Sequence, residues 1–341
     1  MKKLSLFLIG LLLIPSLFLT SCDRGDDITE GGATTYEAFD VLKDYMENNG
    51  FDLPSVDTNT FGKFVTAAPA ADALDAFLSG HYILDIRKEA DFKNGHIEGA
   101  KNIAFADILT EATNAGGKPI LMVCYSGQTA CFATALMRMY GITEVQALKW
   151  GMSGWNSNTA GAWNNATQTS IAENNPNWST SSAPQNVPYK DVDLGTTTDD
   201  DGLALLHKRI EDIVALGDNA FSKFSASVVL DTPGDYFINN FFSEGDYDNF
   251  GHIKGAYRIQ PLTLASDEYK NLDATKKIVT YCYTGQTSAV VTAWLRVLGY
   301  DAYSLLYGMN GLYNDNPAWG TSANRWTSSM PKDLPLIVEN N

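Results

Sequence analysis

Apolar residues along the chain follow two alternating periods. Four short apolar runs are typical of strands buried on both faces of a parallel sheet: residues 82–86, 119–123, 227–230 and 277–281. Longer stretches with apolar residues at i, i+3, i+4 and i+7 predict amphipathic helices: residues 36–48, 133–140, 203–216 and 291–298. This alternation predicts an α/β fold, in which each half of the chain forms a mostly parallel sheet with helices on both faces.

The same pattern occurs twice. Residues Val123–Gly141 align without gaps to Tyr281–Gly299 and are identical at 9 of 19 positions. The Gly-His-Ile-x-Gly-Ala segment at Gly95 returns at Gly251, and the Trp-Gly-Met turn at residues 150–152 returns as Tyr-Gly-Met at 307–309. The chain of 341 residues is therefore predicted to be a tandem repeat, with domain 1 at residues 34–188 and domain 2 at residues 189–341.

The N-terminus is typical of an export signal. Lys2 and Lys3 precede an apolar run that ends in Leu19-Thr-Ser-Cys22, and this end resembles the lipobox of bacterial lipoproteins. We predict a signal peptide at residues 1–21, a lipidated Cys22 and a polar tether at residues 22–33. The alternative is a transmembrane helix, for which the run is short. The predicted location is the bacterial cell envelope, lipid-anchored on the periplasmic or cell-surface side.

Charge excludes several classes of partner. The formal net charge is −16, and loss of Lys2 and Lys3 with the signal peptide would make it −18. This argues against nucleic acid and against anionic lipid heads, so membrane contact is expected through the lipid anchor only. Besides Cys22 the chain has Cys124, Cys131 and Cys282, without a CxxC pair or clustered histidines, so no metal site is predicted.

Two cysteines lie in nearly identical loops, Cys124-Tyr-Ser-Gly-Gln-Thr and Cys282-Tyr-Thr-Gly-Gln-Thr. Each follows a predicted strand and precedes a predicted helix, whose N-terminus would stabilise a thiolate and lower its pKa. The threonines that end the two loops are expected to cap these helices. The residues predicted to contact substrate are the other loop residues: Tyr125, Ser126, Gly127, Gln128, Thr129, Tyr283, Thr284, Gly285, Gln286 and Thr287.

Both halves resemble rhodanese domains in four motifs. These are the Asp85-Ile-Arg87 strand end, the Gly-His-Ile-x-Gly-Ala segment, the Cys-x-x-Gly-x-Thr loop and the Gly-Met turn. The resemblance implies a sulfurtransferase with Cys124 and Cys282 as candidate catalytic residues. A cysteine persulfide would take a sulfane sulfur from thiosulfate, a persulfide or a polysulfide and pass it to a thiophilic acceptor. It implies neither a metal nor an organic cofactor.

Loop length and charge separate this family from its relatives. Rhodanese loops have six residues, as here, whereas related phosphatases insert one more and need an arginine to hold phosphate. Neither loop contains Arg or Lys, which disfavours phosphatase or arsenate chemistry. Thiosulfate is a dianion, so either the backbone suffices to bind it or the natural donor is less charged. A non-catalytic module that binds a partner or carries sulfur is the alternative function.

The two halves are expected to differ beside their loops. Aligning Ile83-Leu-Asp85 with Val229-Leu-Asp231 gives domain 2 no counterpart of Arg87 and an insertion before Gly251. The aromatic residues of this insertion would line a pocket or pack at the interface: Tyr236, Phe237, Phe241 and Phe242. Arg87 is expected to form a structural ion pair, with substrate binding as its second role. Cys131 is expected in the core, and which loop cysteine works is left open.

Overall fold

The computed structural model describes residues 34–339. The predicted signal peptide, the lipidated Cys22 and the tether lie outside the described residues. Within residues 34–339, no helix combines the length and apolar character needed to cross a membrane.

Fifteen strands occur in the described part of the chain: β1 (Tyr36–Glu37), β2 (Thr58–Asn59), β3 (Gly62–Lys63), β4 (Val65–Thr66), β5 (Tyr82–Asp85), β6 (Lys101–Asn102), β7 (Ile120–Val123), β8 (Val145–Leu148), β9 (Trp178–Ser179), β10 (Thr196–Thr197), β11 (Lys223–Phe224), β12 (Phe237–Asn240), β13 (His252–Ile253), β14 (Ile278–Tyr281) and β15 (Ala302–Leu305).

The same residues form thirteen α-helices: α1 (Ala38–Asn48), α2 (Leu53–Asp57), α3 (Leu74–Gly80), α4 (Glu89–Lys93), α5 (Ile108–Ala112), α6 (Gln128–Met139), α7 (Met152–Trp155), α8 (Gly161–Ala166), α9 (Gly202–Val214), α10 (Ala226–Asp231), α11 (Glu244–Phe250), α12 (Gln286–Leu298) and α13 (Gly308–Tyr313). Short 3-10 helices lie at Ala71–Ala73, Phe105–Asp107, Thr113–Ala115, Ser157–Thr159, Gly217–Asn219, Pro233–Asp235, Glu268–Asn271 and Pro317–Trp319.

Domain 1 contains a five-stranded sheet in the order β4-β8-β7-β5-β6, with every pairing parallel. Successive side chains of a strand point to opposite faces, and all four residues of the central strand β7 are buried. Ile120 and Met122 join the core beneath α6, whereas Leu121 and Val123 pack on the other face with Met152 of α7. The prediction of a parallel sheet with helices on both faces is confirmed.

Domain 2 contains a four-stranded parallel sheet in the order β11-β15-β14-β12. The prediction of a strand at residues 227–230 is wrong, because this run lies in α10. The strand that corresponds to β5 is β12. Its last residue, Asn240, pairs with Tyr281 just as Asp85 pairs with Val123.

The two domains share one hydrophobic core. Helices α6 and α12, which follow the two cysteine loops, pack against each other with Phe132 and Trp294 fully buried among their neighbours. The indole N–H of Trp294 also donates to the carbonyl of Phe51 at 3.0 Å. The carboxyl ends of the two sheets, where both cysteines lie, therefore come together at this interface.

Segments near the end of each half cross to the other half, and we call residues 175–179 and 334–337 the exchanged tails. Strand β9 in the first tail pairs antiparallel with β13, the His-Ile segment of domain 2. In the second tail, Ile337 forms an antiparallel bridge with His96, with backbone hydrogen bonds of 2.9 and 3.0 Å. Each tail thus covers the Gly-His-Ile segment of the opposite domain.

Candidate active site

The sulfur of Cys124 lies inside the turn that joins β7 to α6. Gly127 adopts a left-handed conformation (φ 85°), which allows the chain to curl back on itself before the helix begins. The backbone N–H groups of Gly127 and Ala130 donate to Cys124 Sγ at 3.2 and 3.3 Å. The first turn of α6 therefore faces the sulfur, as the loop pattern predicts.

The loop around Cys282 follows the same course with a different set of donors. Gly285 is left-handed (φ 76°), and α12 begins one residue later. The N–H of Ser288 donates to Cys282 Sγ at 3.3 Å, and the thiol lies 3.8 Å from the Ser288 hydroxyl. The same hydroxyl lies 2.8 Å from that of Ser304. Cys282 thus accepts one backbone N–H and donates to a hydroxyl, whereas Cys124 accepts two backbone N–H groups.

Thr129 and Thr287 do not cap the helices, so this prediction is wrong. The left-handed glycines start α6 and α12 at Gln128 and Gln286, two residues earlier than a threonine cap requires, and no side chain caps either helix. Both threonines lie within the first helical turn and are half-buried.

The Gly-Met turns hold the loops in place from beneath. The N–H of Met152 donates to the carbonyl of Cys124 at 2.9 Å, and Met309 does the same for Cys282 at 2.8 Å. A side chain on Gly151 (φ 58°) would put its Cβ 2.6 Å from the backbone nitrogen of Gly127 and closer still to Cys124 O. Only glycine permits this approach, which explains the repeated Gly-Met motif.

Each loop is completed by a glutamine from the other domain. Gln128 Oε1 accepts from the backbone N–H of Tyr307 at 2.7 Å, and its amide lies against Gly285. Gln286 Nε2 donates to the carbonyl of Ser126 at 3.4 Å and lies against Gly127. Both glutamine side chains are buried. The two cysteine loops are therefore in direct contact across the interface.

An aromatic cluster covers this contact. Trp163 donates its indole N–H to the carbonyl of Ser126 at 3.0 Å and stacks on Trp326 with ring centroids 5.4 Å apart. Trp150 and Tyr307 meet Trp163 edge to face at 4.7 and 4.9 Å. The long polar stretch after residue 156, which contributes Trp163, is thus part of the domain interface.

Burial dominates the ionisation of the Cys124 thiol. Burial raises its pKa above the ordinary value, and the N–H donors of Ala130, Ser126 and Gly127 only partly offset this. The expectation of a lowered pKa is therefore wrong for the resting thiol of Cys124. Burial raises the pKa of Cys131 further, as its place in the core of α6 requires.

A buried ion pair flanks the Cys124 loop. Arg87 Nη2 contacts Asp85 Oδ2 at 2.7 Å, and both side chains are almost fully buried, as expected of a structural pair. The guanidinium also lies 5.8 Å from the ring centroid of Tyr125. The Tyr125 hydroxyl donates to Asp91 Oδ2 at 2.6 Å and so ties the loop to α4. Arg87 therefore lies beside the loop, not beneath its sulfur.

Neutral groups take these places beside the Cys282 loop. Asn240 occupies the position of Asp85 and donates to the hydroxyl of Tyr281 at 2.8 Å. Phe242 occupies the position of Arg87 and stacks on Tyr283 with centroids 4.2 Å apart. The Tyr283 hydroxyl donates to Asp246, as Tyr125 does to Asp91.

The predicted insertion in domain 2 does not exist in this form. The alignment through Asp231 was wrong because that residue ends α10. Measured from Asn240, the segment up to Gly251 is only one residue longer than that from Asp85 to Gly95. Phe237 lies in β12 and packs against Tyr257, whereas Phe242 replaces the arginine. The prediction that domain 2 has no counterpart of Arg87 is confirmed, because Phe242 occupies that position.

The sequence analysis missed the carboxylates that contact the loop tyrosines. Asp91 and Asp246 could have been found by aligning Glu89-Ala-Asp91 with Glu244-Gly-Asp246. Each accepts the hydroxyl of the tyrosine that follows the loop cysteine.

An open cleft of about 670 Å³ lies beside the Cys124 loop. Its walls come from α4, from Tyr125, from the turn and helix after α7, and from the end of the second exchanged tail. Tyr125 is 38% exposed at this point. The predicted residues Tyr125 and Arg87 therefore meet at one opening, whereas Ser126, Gly127 and Gln128 are buried behind it.

A family model described as a rhodanese-like domain matches the chain twice, at residues 68–158 and 235–315. Together the two matches cover just over half of the chain. Each contains one cysteine loop.

Two curated relatives and one solved structure are among the proteins that this chain resembles. The thiosulfate sulfurtransferase GlpE of Shewanella oneidensis is 33% identical over 79 residues, which are 23% of this chain and 78% of that protein. GlpE of Pseudomonas aeruginosa is 32% identical over 82 residues, 23% of this chain and 73% of its own length. A crystal structure of thiosulfate sulfurtransferase from Pseudomonas aeruginosa matches 71% of this chain and 43% of its own, at 16% identity and a TM-score of 0.27.

Proposed function

Because the chain belongs to the rhodanese-like domain family, whose relatives include sulfurtransferases, we propose that it is a sulfurtransferase that carries a sulfane sulfur on Cys124. The observation that carries this proposal is the pair of backbone N–H groups directed at Cys124 Sγ from the first turn of α6. Donors placed in this way stabilise negative charge on sulfur both before and after it takes up a second sulfur atom.

The first half-reaction loads the cysteine. The Cys124 thiolate attacks the outer sulfur of the donor, a Cys–S bond to that sulfur forms, and the donor's own S–S bond breaks. With thiosulfate the leaving group is sulfite, and with a persulfide it is a thiolate. The thiol proton goes to solvent.

The second half-reaction returns the enzyme to its starting state. A nucleophilic acceptor attacks the outer sulfur of the persulfide, the Cys124 S–S bond breaks, and Cys124 leaves as a thiolate held by Gly127 and Ala130. Sulfur and electrons balance within these two steps, so no further oxidant or reductant takes part.

We assign the chemistry to Cys124 rather than Cys282 because of their surroundings. Cys124 accepts two backbone N–H bonds and lies behind a loop that borders an open cleft. Cys282 accepts one N–H bond, and aromatic rings pack over Tyr283 next to it. A carrier sulfur must be reached by two substrates in turn. Both cysteines are buried, at 3% and 2% exposure, so the open cleft beside the Cys124 loop is what favours Cys124.

Intact-mass spectrometry tests the proposal. The purified chain is incubated separately with thiosulfate, glutathione persulfide and polysulfide, and then with cyanide. We expect one added sulfur atom on the wild type and on Cys282→Ser, none on Cys124→Ser, and thiocyanate release in proportion. If all three proteins behave alike with every donor, the proposal is wrong.

The raised pKa of the Cys124 thiol favours a second candidate, a module that binds a partner without turnover. A buried, neutral thiol is a poor nucleophile. Two results together would support this candidate instead. No donor would load sulfur onto the chain, and a defined partner would still bind after both loop cysteines are replaced.

We also propose that the protein acts at the bacterial cell envelope, held by a lipid on Cys22. The supporting observation is the sequence of residues 1–22 alone. Its partners would be a small sulfur donor and a thiophilic acceptor. Labelling of growing cells with a radioactive fatty acid should mark the wild type and spare a Cys22→Ala variant.

A further inference from the structure

The open cleft beside the Cys124 loop is lined by both polar and apolar residues. Asn94, Asn158 and Thr159 contribute uncharged polar groups, and Asp91 lies there beside Tyr125. Ala162 and Leu336 are apolar. The cleft meets the loop at Tyr125, the residue that follows Cys124.

Domain 2 fills the matching space with aromatic rings. Phe242 stacks on Tyr283, and Trp319 packs edge to face against Phe250 at 4.9 Å. Trp319 also lies 6.3 Å from Tyr283, measured between ring centroids. The loops are alike, so the difference lies in what the surrounding chain leaves open.

The charge of the cleft comes from Asp91. Arg87 also lines it, but its guanidinium is already paired with Asp85 and donates to the carbonyl of Gly95 at 2.8 Å. Asp91 accepts the Tyr125 hydroxyl and has no ion-pair partner within 4.0 Å among residues 34–339. A ligand in the cleft therefore meets one unpaired carboxylate among neutral amides.

We propose that this cleft binds the sulfur acceptor, and that the acceptor is a small thiol carrying an ammonium group. The proposal rests on the proposed function of Cys124 and goes beyond it by assigning a site and a chemical class. The ammonium group contacts Asp91, and the carbon chain lies towards Ala162 and Leu336. The acceptor thiolate attacks the outer sulfur of the Cys124 persulfide and leaves as a persulfide, and its thiol proton goes to solvent.

Three thiols of similar size test the charge preference in the full-length chain. Cysteamine carries an ammonium group, 2-mercaptoethanol is neutral and 3-mercaptopropionate carries a carboxylate. The loaded wild type and an Asp91→Asn variant are mixed with each thiol, and the rate of sulfur loss is followed by mass. Dividing the wild-type rate by the variant rate for each thiol cancels its intrinsic reactivity.

We expect Asp91→Asn to slow transfer to cysteamine by about 5-fold and to speed or leave unchanged transfer to 3-mercaptopropionate. The matched control is Asp246→Asn, which alters the same tyrosine contact in domain 2 and should change none of the ratios. Equal ratios for the three thiols would overturn the proposed ammonium preference.

Filling the cleft tests the site itself. Ala162→Trp places a ring where domain 2 has one, and we expect transfer to cysteamine to slow by roughly 10-fold or more. Loading of Cys124 from thiosulfate should stay within about 2-fold, because only the acceptor is held by this cleft. Equal slowing of both half-reactions would mean that the cleft is not an acceptor site.

A binding measurement separates failure of this proposal from failure of the proposed function. S-methylcysteamine cannot accept sulfur, and its binding to wild type and Asp91→Asn is measured by calorimetric titration. Weaker binding to the variant supports ammonium binding at Asp91 in the cleft, even if no donor loads Cys124. Equal binding, or none, together with normal loading overturns the cleft and leaves the sulfurtransferase intact.

Discussion

The loops of Cys124 and Cys282 have the same backbone course, the same left-handed glycine and the same Gly-Met turn beneath them. They differ in their flanks. Domain 1 places the ion pair of Asp85 and Arg87 and an open polar cleft beside its loop, whereas domain 2 places Asn240 and a stack of aromatic rings there. The loop motif thus identifies a thiol that could react, and the flanks decide whether substrates can reach it.

The residues beside the two loops fill equivalent buried positions in two different ways. A buried charge must be paired, so Asp85 and Arg87 depend on each other. Asn240 and Phe242 carry no charge, so a change at either residue leaves no unpaired charge. Domain 1 therefore keeps a buried ion pair beside its loop, where domain 2 has an amide and an aromatic ring.

The largest expected effect separates the two cysteines. Cys124→Ser removes the sulfur-carrying atom, so we expect sulfur transfer to fall by about 10³-fold or more. Cys282→Ser should keep turnover within about 3-fold of the wild type. Steady-state formation of thiocyanate from thiosulfate and cyanide measures both. Loss of activity in Cys282→Ser alone would reverse the comparison.

The next effect is on stability. Arg87→Met leaves the buried carboxylate of Asp85 unpaired, and we expect the free energy of unfolding to fall by about 3–5 kcal/mol. The double variant Asp85→Asn/Arg87→Phe copies the residues of domain 2 and should lose less than about 1.5 kcal/mol. Urea unfolding followed by tryptophan fluorescence compares them. Equal losses would show that charge is not what distinguishes the two flanks.

A smaller effect concerns the exchanged glutamines. Gln128→Ala leaves the partly buried N–H of Tyr307 without its 2.7 Å acceptor, and we expect a loss of about 1–2 kcal/mol in the free energy of unfolding. Gln286→Ala should cost less, because its bond to Ser126 is 3.4 Å long. The exposed Gln168→Ala is the control, expected to cost less than about 0.5 kcal/mol. The reverse order of the two buried variants would contradict this account.

The smallest effect is a shift in pH dependence. Burial raises the pKa of the Cys124 thiol above its unfolded value of about 8.5. The thiolate therefore forms at higher pH in the folded protein, and iodoacetamide modification of Cys124 should still be increasing above pH 9. Peptide-resolved mass spectrometry measures the rates, with the urea-unfolded chain as reference. A midpoint at or below that of the unfolded chain would show that the N–H donors outweigh burial.

Periodicity and repetition predicted much of the fold. The strands that precede both cysteines and the helices that follow them lie where their apolar spacing puts them. The failure at residues 227–230 has a clear cause. Val228, Val229 and Leu230 form a β-branched, apolar run, while the true strand β12 ends in two asparagines that local pattern assigns to a loop. Parallel pairing with β14 stabilises β12, and that is a tertiary effect.

The candidate site was predictable only within each half. Loop length, the glycines and the cysteines follow from the sequence. The contacts of Gln128 with Gly285 and of Gln286 with Gly127 do not, because they depend on how two domains pack. The cleft was missed for the same reason, because the end of the second exchanged tail forms part of its wall. Helix capping by the threonines failed because the left-handed glycines move the helix starts.

The exchanged tails make the two repeats mutually dependent for folding. A fragment of residues 34–188 would lack the segment that bridges His96, and a fragment of residues 189–339 would lack the strand that pairs with β13. Each piece would expose backbone groups of its Gly-His-Ile segment that the other piece covers. The two halves are therefore not independent folding units. Expressed separately they should be insoluble, and co-expressed halves should reassemble. The full chain should unfold in one cooperative transition.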